Sequence, residues 1–128
     1  MSWKISYLED QKIIKTVYTE PITLEETKEA AMANALLAGE KQTGLFLADC
    51  STFQTDANLV DIYELGKFLE SLSLRMHISI KEAMIEPPNV HNVSRDLQFY
   101  ENVANNRMVR VKIFQDHDAA ISWLTANL

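Results

Sequence analysis

Trp3, Ile5 and Tyr7 alternate with Lys4 and Ser6 at the start of the chain, the period-two signature of a half-buried strand. After the polar Glu9-Asp10-Gln11, the stretch from Lys12 to Thr19 is rich in Ile, Val, Thr and Tyr, so the two segments read as a β-hairpin. Pro21 stops the second strand. Thr23-Leu24-Glu25-Glu26 is a capping box, in which hydroxyl and carboxylate satisfy each other's orphan backbone donors at a helix start. The spacing predicts a helix over 24–38 with Leu24, Ala31, Ala35 and Ala38 on one face. Gly39 suits the left-handed turn that ends such a helix.

Leu45 to Ala48 is apolar without alternation, as in a strand covered on both faces. From Asn58, the positions Leu59, Ile62, Leu65, Gly66, Leu69 and Leu72 recur at helical spacing, with Asp61, Glu64, Lys67 and Ser71 roughly opposite. That is the clearest helix of the chain. Ile78 to Ile85 reads as a strand ended by Pro87-Pro88, because proline lacks the amide a ladder needs. Val93, Leu97, Tyr100 and Ala104 form a narrow helical stripe, and Val109, Val111 and Ile113 alternate with Arg110 and Lys112 as a strand. Asp116 is placed to cap a last helix in which Ala120, Trp123 and Leu124 share a face. The order is β-β-α-β-α-β-α-β-α in a single domain over 1–128. It implies an α/β fold with a five-stranded mixed, mostly parallel sheet, one antiparallel hairpin strand and four helices. If successive strands are neighbours and every crossover is right-handed, the helices collect on one face. The apolar residues of the hairpin, Trp3, Ile5, Tyr7, Val17 and Tyr18, then call for a partner, and a homodimer is expected.

Composition narrows the function classes. Among 128 residues, 18 are Asp or Glu and 12 are Lys or Arg, for a net charge of -6. That balance opposes phosphate backbones, so no nucleic-acid partner is expected. No apolar run approaches the roughly 18 to 20 residues a membrane span needs, so no membrane insertion is expected. The first ten residues alternate polar and apolar without the core of a secretion signal, which points to a cytoplasmic location. A single cysteine, Cys50, forms no intrachain disulfide and no cysteine-rich zinc site. His77, His91 and His117 lie apart, and Gly39, Gly44 and Gly66 stand singly. Neither a metal site, a phosphate-binding glycine loop nor any cofactor is indicated.

Three segments carry a resemblance. They are Leu45-Phe46-Leu47-Ala48-Asp49-Cys50-Ser51 leading to Thr55-Asp56-Ala57-Asn58-Leu59, the strand Lys81-Glu82-Ala83-Met84-Ile85-Glu86-Pro87, and the ending Val109-Arg110-Val111-Lys112-Ile113-Phe114 with Ala120-Ile121-Ser122-Trp123-Leu124. The succession resembles, over nearly the whole chain, the SpoIIAA-like fold shared by STAS domains and the lipid-binding CRAL-TRIO domains. In the anti-sigma factor antagonists of that group, a Ser-containing turn opens the second helix and is phosphorylated by a partner kinase. Here the equivalent turn resembles Asp56-Ala57-Asn58-Leu59. Asn58 stands at the acceptor position and has no hydroxyl to phosphorylate, so the phospho-switch is not expected. The resemblance implies a non-enzymatic domain that binds a protein partner or itself in bacterial regulation. Its alternative is a carrier of a small apolar or lipid-like ligand.

In such sheets, ligands gather beyond the carboxyl ends of the strands. That rim would carry Asp49, Cys50, Ser51, Asp56, Asn58, Glu86, Asn89, His91 and Asp116. As a recognition surface it centres on Asp49, Ser51, Asp56 and Asn58, the last two also being natural turn and cap residues. Cys50 with His91 would make a nucleophile and base, but no local signature joins them, and a buried inert thiol is the simpler reading. No catalytic residue is assigned. Phe68 falls close to Asp61 and Glu64 on the polar side of its helix, which marks it as a candidate contact for self-association.

Overall fold

The structure, a computed structural model, describes residues 3–19, 21–51, 54–55, 67–68, 70–72, 74–75, 79–86, 100–102 and 109–126. In chain order these form β1 (Trp3–Leu8), β2 (Ile13–Tyr18), β3 (Pro21–Ile22), α1 (Leu24–Lys41), β4 (Leu45–Asp49), β5 (Gln54–Thr55), β6 (Lys81–Ile85), β7 (Arg110–Phe114) and α2 (His117–Thr125). Further helical residues stand at 67–68, 70–72 and 74–75 in the connection from β5 to β6, and at 100–102 in the connection from β6 to β7. The main sheet has the order β1-β2-β4-β6-β7. β1 is antiparallel to β2, and every other pairing is parallel. The fold is therefore α/β with a five-stranded mixed sheet. β3 and β5 form a separate two-residue parallel pair. Pro21 thus opens a short strand as well as following the end of β2, a position where its missing amide is tolerated.

Local chemistry makes α1 as its sequence directs. The Glu26 amide donates to the Thr23 hydroxyl at 3.1 Å, and the Thr23 amide donates to the Glu26 carboxylate at 3.2 Å, an N-cap worth about 1 kcal/mol. The helix runs three residues past the expected end. Gly39 stays helical, and Gln42 takes the left-handed position with φ 55° and ψ 50°. Lys41 in the last turn suits the negative end of the helix dipole. The chain then returns to the hairpin, where the Thr43 hydroxyl donates to the Lys12 carbonyl at 2.6 Å. The inward face also differs by one position: Ala30 and Ala38 are buried while Ala31 and Ala35 are half-buried. Between them Asn34 donates to the hydroxyl of Thr16, a buried residue of β2, at 2.9 Å. An apolar stripe search passes over this polar lock because it discards asparagine.

β4 is buried along Leu45, Phe46, Leu47 and Ala48, and its alternation supplies both faces of the sheet. Phe46 packs with Ile14 and Ala38 of α1, joined by Ile5, Tyr7 and Leu37. Leu45 and Leu47 pack with Ile13, Ala83 and Ile85 against Ala120 and Leu124 of α2. The helices therefore do not collect on one face, because α2 lies on the side opposite α1. β7 is an edge strand and, among the described residues, no strand follows it, so α2 makes no crossover there and no handedness rule holds it beside α1. It follows the apolar face left by Leu45, Leu47, Ala83 and Ile85. The Ala119 amide donates to Asp116 at 3.1 Å and starts the helix where its cap was expected. Lys81, only 7% exposed, closes the other end: its ammonium donates to the Trp123 carbonyl at 2.5 Å and lies 4.5 Å from the Trp123 ring centre. A cation at a helix C-terminus meets both the orphan carbonyls and the dipole. Phe114 packs on the same indole at a tilt of 49°, with ring centres 5.7 Å apart.

Two of the hairpin residues read as partner-seeking, Ile5 and Tyr7, are used inside against α1. Tyr18 packs against the buried cluster of Cys50 and Tyr100.

Candidate functional site

Parallel register fixes the centre of the site. Glu82 pairs with Phe46 on one side and Val111 on the other, and it shares a sheet face with Met84, two residues on. That face is apolar: Ala48, Cys50, Met84, Tyr100, Val109 and Val111 form one buried cluster, with Tyr18, Ile80 and Ile113 packed against it. The half-buried Glu82 carboxyl borders this apolar layer, and a carboxyl so placed gains from a hydrogen-bond donor or from keeping its proton. The Tyr100 hydroxyl donates to Glu82 Oε1 at 2.8 Å. Burial pushes the Glu82 carboxyl up to about 7, and the tyrosine bond only partly offsets it. Burial and the nearby Glu82 charge raise the Tyr100 hydroxyl well above its ordinary value. Tyr18 moves in the same direction, by burial first and then by Cys50 and Glu82. The geometry gathers two hydroxyls, a thiol and a carboxyl on one face, and among them Glu82 titrates near neutrality.

Cys50 follows β4 and is 2% exposed. Burial raises its thiol, with the charges of Glu82 and Asp49 adding to the effect. A thiol so held is protonated at neutral pH and is a poor nucleophile. Beside it, Asp49 Oδ1 accepts from the Ser51 hydroxyl at 2.6 Å and from the Ser51 amide at 3.0 Å. This is an Asx-type turn that stiffens the strand exit. Asp49 and Ser51, two of the expected rim residues, are thus brought together, both half-buried. Further along the rim, Glu86 accepts from the Gln115 side chain at 3.1 Å, and Asp116 is a helix cap. Asp56, Asn58, Asn89 and His91 lie outside the described residues.

Phe68 is half-buried, with the Lys28 ammonium of α1 5.8 Å from its ring centre. The cation contact places it against α1 and so accounts for a phenyl ring on the polar side of its helix. The outward side of α1 instead exposes Met32 and Leu36, and Leu74 is exposed in the following helical segment. At the opposite end of the sheet, a cavity of about 560 Å³ is lined by Tyr7, Leu8, Glu9, Asp10, Gln11 and Lys41. Among the described residues, no group of three or more His, Cys, Asp or Glu side chains is placed to hold a metal ion. No helix of the described residues is long and apolar enough to cross a membrane.

Glu82 and Tyr100 were missed as site residues by sequence reasoning, although a signal exists. In Lys81-Glu82-Ala83-Met84-Ile85, alternation puts Glu82 on one face with Met84 and Lys81 on the other with Ala83 and Ile85. A charge on each face of a strand flanked by strands is unusual, and both residues prove to have dedicated partners.

Fold and site together define an α/β domain in which one half-buried carboxyl, Glu82, lies against an apolar cluster on a face of the sheet. The chain matches no family model, no curated protein and no solved structure.

Proposed function

We propose that this is a non-enzymatic binding domain of the SpoIIAA-like kind, acting on a protein partner or a second copy of itself and serving regulation. The observation that carries the reading is the state of the strand exit. Cys50 is held as a thiol, and Ser51 donates its hydroxyl to the adjacent Asp49 carboxylate, an acceptor far too weak a base to ionise a serine. Residues so committed rigidify a surface and leave no activated nucleophile among themselves. A rigid rim is what recognition by rigid-body docking uses.

The second reading, a carrier of a small apolar or amphipathic ligand, is favoured by one feature: Glu82, Tyr100 and Tyr18 set polar groups within the apolar cluster of Ala48, Met84, Val109 and Val111. Apolar ligand sites typically hold a few such groups for orientation.

A broad hydrolase and transferase screen tests the leading reading. The expected result is that wild-type protein shows no turnover that Asp49→Ala, Cys50→Ala or Ser51→Ala removes. A turnover lost in Cys50→Ala at unchanged melting temperature would overturn it.

A further inference from the structure

Helical periodicity gives α1 an outward face that its packing on the sheet leaves free. Ala30 and Ala38 are buried beneath the helix, and opposite them the exposed positions are Glu25, Glu29, Met32, Leu36, Gly39 and Glu40. Met32 and Leu36 stand one turn apart and are two of the three large hydrophobic residues exposed among the described residues. Leu36 is 72% exposed, so nearly all of its side chain is open to cover by a partner. Gly39, a turn further on, is exposed with an ordinary negative φ. No turn requires a glycine there, and its lack of a side chain opens the helix backbone to close approach.

Charge marks what this face accepts. Its charged residues are all carboxylates, with Glu25 and Glu29 before the apolar pair and Glu40 after it. The two lysines of α1 are half-buried and lean onto rings instead: the Lys28 ammonium lies 5.8 Å from the Phe68 ring centre, and that of Lys41 lies 5.2 Å from the Tyr7 ring centre. Carboxylates on both sides of an exposed leucine repel an anionic lipid surface, where interfacial helices carry basic residues. They oppose a second copy as well. Glu29 and Glu40 stand nearly equidistant in sequence from the midpoint of Met32 and Leu36. An antiparallel pair of α1 helices centred on the apolar residues would bring Glu29 of one copy close to Glu40 of the other, and a parallel pair would set each carboxylate against its counterpart.

We propose that the outward face of α1 docks a cationic amphipathic helix of another protein, whose apolar side chains cover Met32 and Leu36 and approach the backbone at Gly39 while its lysines or arginines meet Glu25, Glu29 and Glu40.

Two helices pack in this way through side chains three and four residues apart. The apolar pair supplies most of the affinity, and the carboxylates around it supply steering and a dependence on salt. The face is made of α1 alone and includes no residue of the strand-exit rim, so it extends the binding reading to a second surface without resting on the first.

The probe is a synthetic helical peptide of leucine, alanine and lysine, with lysines bordering a leucine stripe, and the control is the same peptide with glutamate for lysine. Titrated into nitrogen-15-labelled protein at about 50 mM salt, the lysine peptide is expected to shift the amide resonances of the outward face of α1, and the glutamate peptide to shift none. Leu36→Ser should weaken binding about tenfold or more. Glu29→Gln combined with Glu40→Gln should weaken it about fivefold and flatten its salt dependence. These positions are exposed, so the variants should fold as wild type does. Asp118→Asn removes a carboxylate that is 98% exposed on α2, and Asp49→Ala alters the rim; both should bind within about twofold of wild type, the spread expected where no contact is lost. A lysine peptide that fails to bind, that shifts another surface, or that binds Leu36→Ser or the glutamine double variant as tightly as wild type would overturn the proposal. So would a dimer of the protein that Leu36→Ser dissolves, or adsorption to anionic vesicles that it abolishes.

Discussion

Gly44→Ala is expected to destabilise the protein by about 3 kcal/mol or more, the upper end of what overpacking costs. A Cβ at residue 44 would overlap the backbone carbonyl oxygen of Ser79 and lie 3.2 Å from its carbon. Neither is the movable end of a side chain, so the entry to β4 and the entry to β6 would have to part. They are joined there by the Lys81 amide, which donates to the Gly44 carbonyl at 2.9 Å. The same separation would strain the first pairs of the β4–β6 ladder, Leu45 with Lys81 and Phe46 with Glu82, and so reach the Glu82 carboxyl. Gly39→Ala supplies the internal control. Gly39 is exposed in the last turns of α1 with an ordinary negative φ, and alanine there should stabilise by roughly 0.5–1 kcal/mol. Urea unfolding of both variants should show shifts of opposite sign. Equal, small shifts would refute the close approach at residue 44.

The second large effect is a pH dependence carried by Glu82. The folded protein holds its proton up to about pH 7, whereas the ordinary value is 4.5. Across that window the folded state binds more protons than the unfolded chain, so stability falls as pH rises. The contribution is fully present below about pH 4.5, is lost progressively up to about pH 7, and totals roughly 3 kcal/mol. Exposed carboxylates follow their own titrations and are common to wild type and variant, so the difference between the two isolates Glu82. Glu82→Gln keeps an oxygen for the Tyr100 hydroxyl but cannot ionise. The stability of Glu82→Gln relative to wild type is expected to rise by about 3 kcal/mol between pH 4.5 and pH 8, followed by tryptophan fluorescence in urea. Parallel pH profiles for the two proteins would contradict a proton-retaining Glu82 carboxyl.

What could be read from the chain alone was local. The Thr23–Glu26 box, the Asp116 cap, the hairpin alternation and the apolar run of β4 each depend on residues within a few positions of one another, and each is found in the structure. What could not be read depends on register between distant segments. The place of α2 opposite α1 follows from which face of β4 and β6 remained uncovered. Glu82 and Tyr100 meet only because β6 lies between β4 and β7 with a helical turn folded back over it. Gly44 looked like a solitary glycine until Ser79 was placed against it. Asn34 resembled any polar helix residue until Thr16 was found facing it. The rim was legible in part: Asp49 and Ser51 do meet at the strand exit, while Asp56 and Asn58 lie in the segment outside the described residues.

The reading of the chain as a binding domain is tested most directly by native mass spectrometry of the protein purified from its own cells under non-denaturing conditions. A complex of two polypeptides is predicted, the second being either another copy or a different chain, with no small-molecule adduct needed to account for the mass. A monomer at tens of micromolar, whether bare or carrying a ligand of a few hundred daltons that denaturation releases, would contradict it, and the ligand-bearing form would establish the carrier reading in its place.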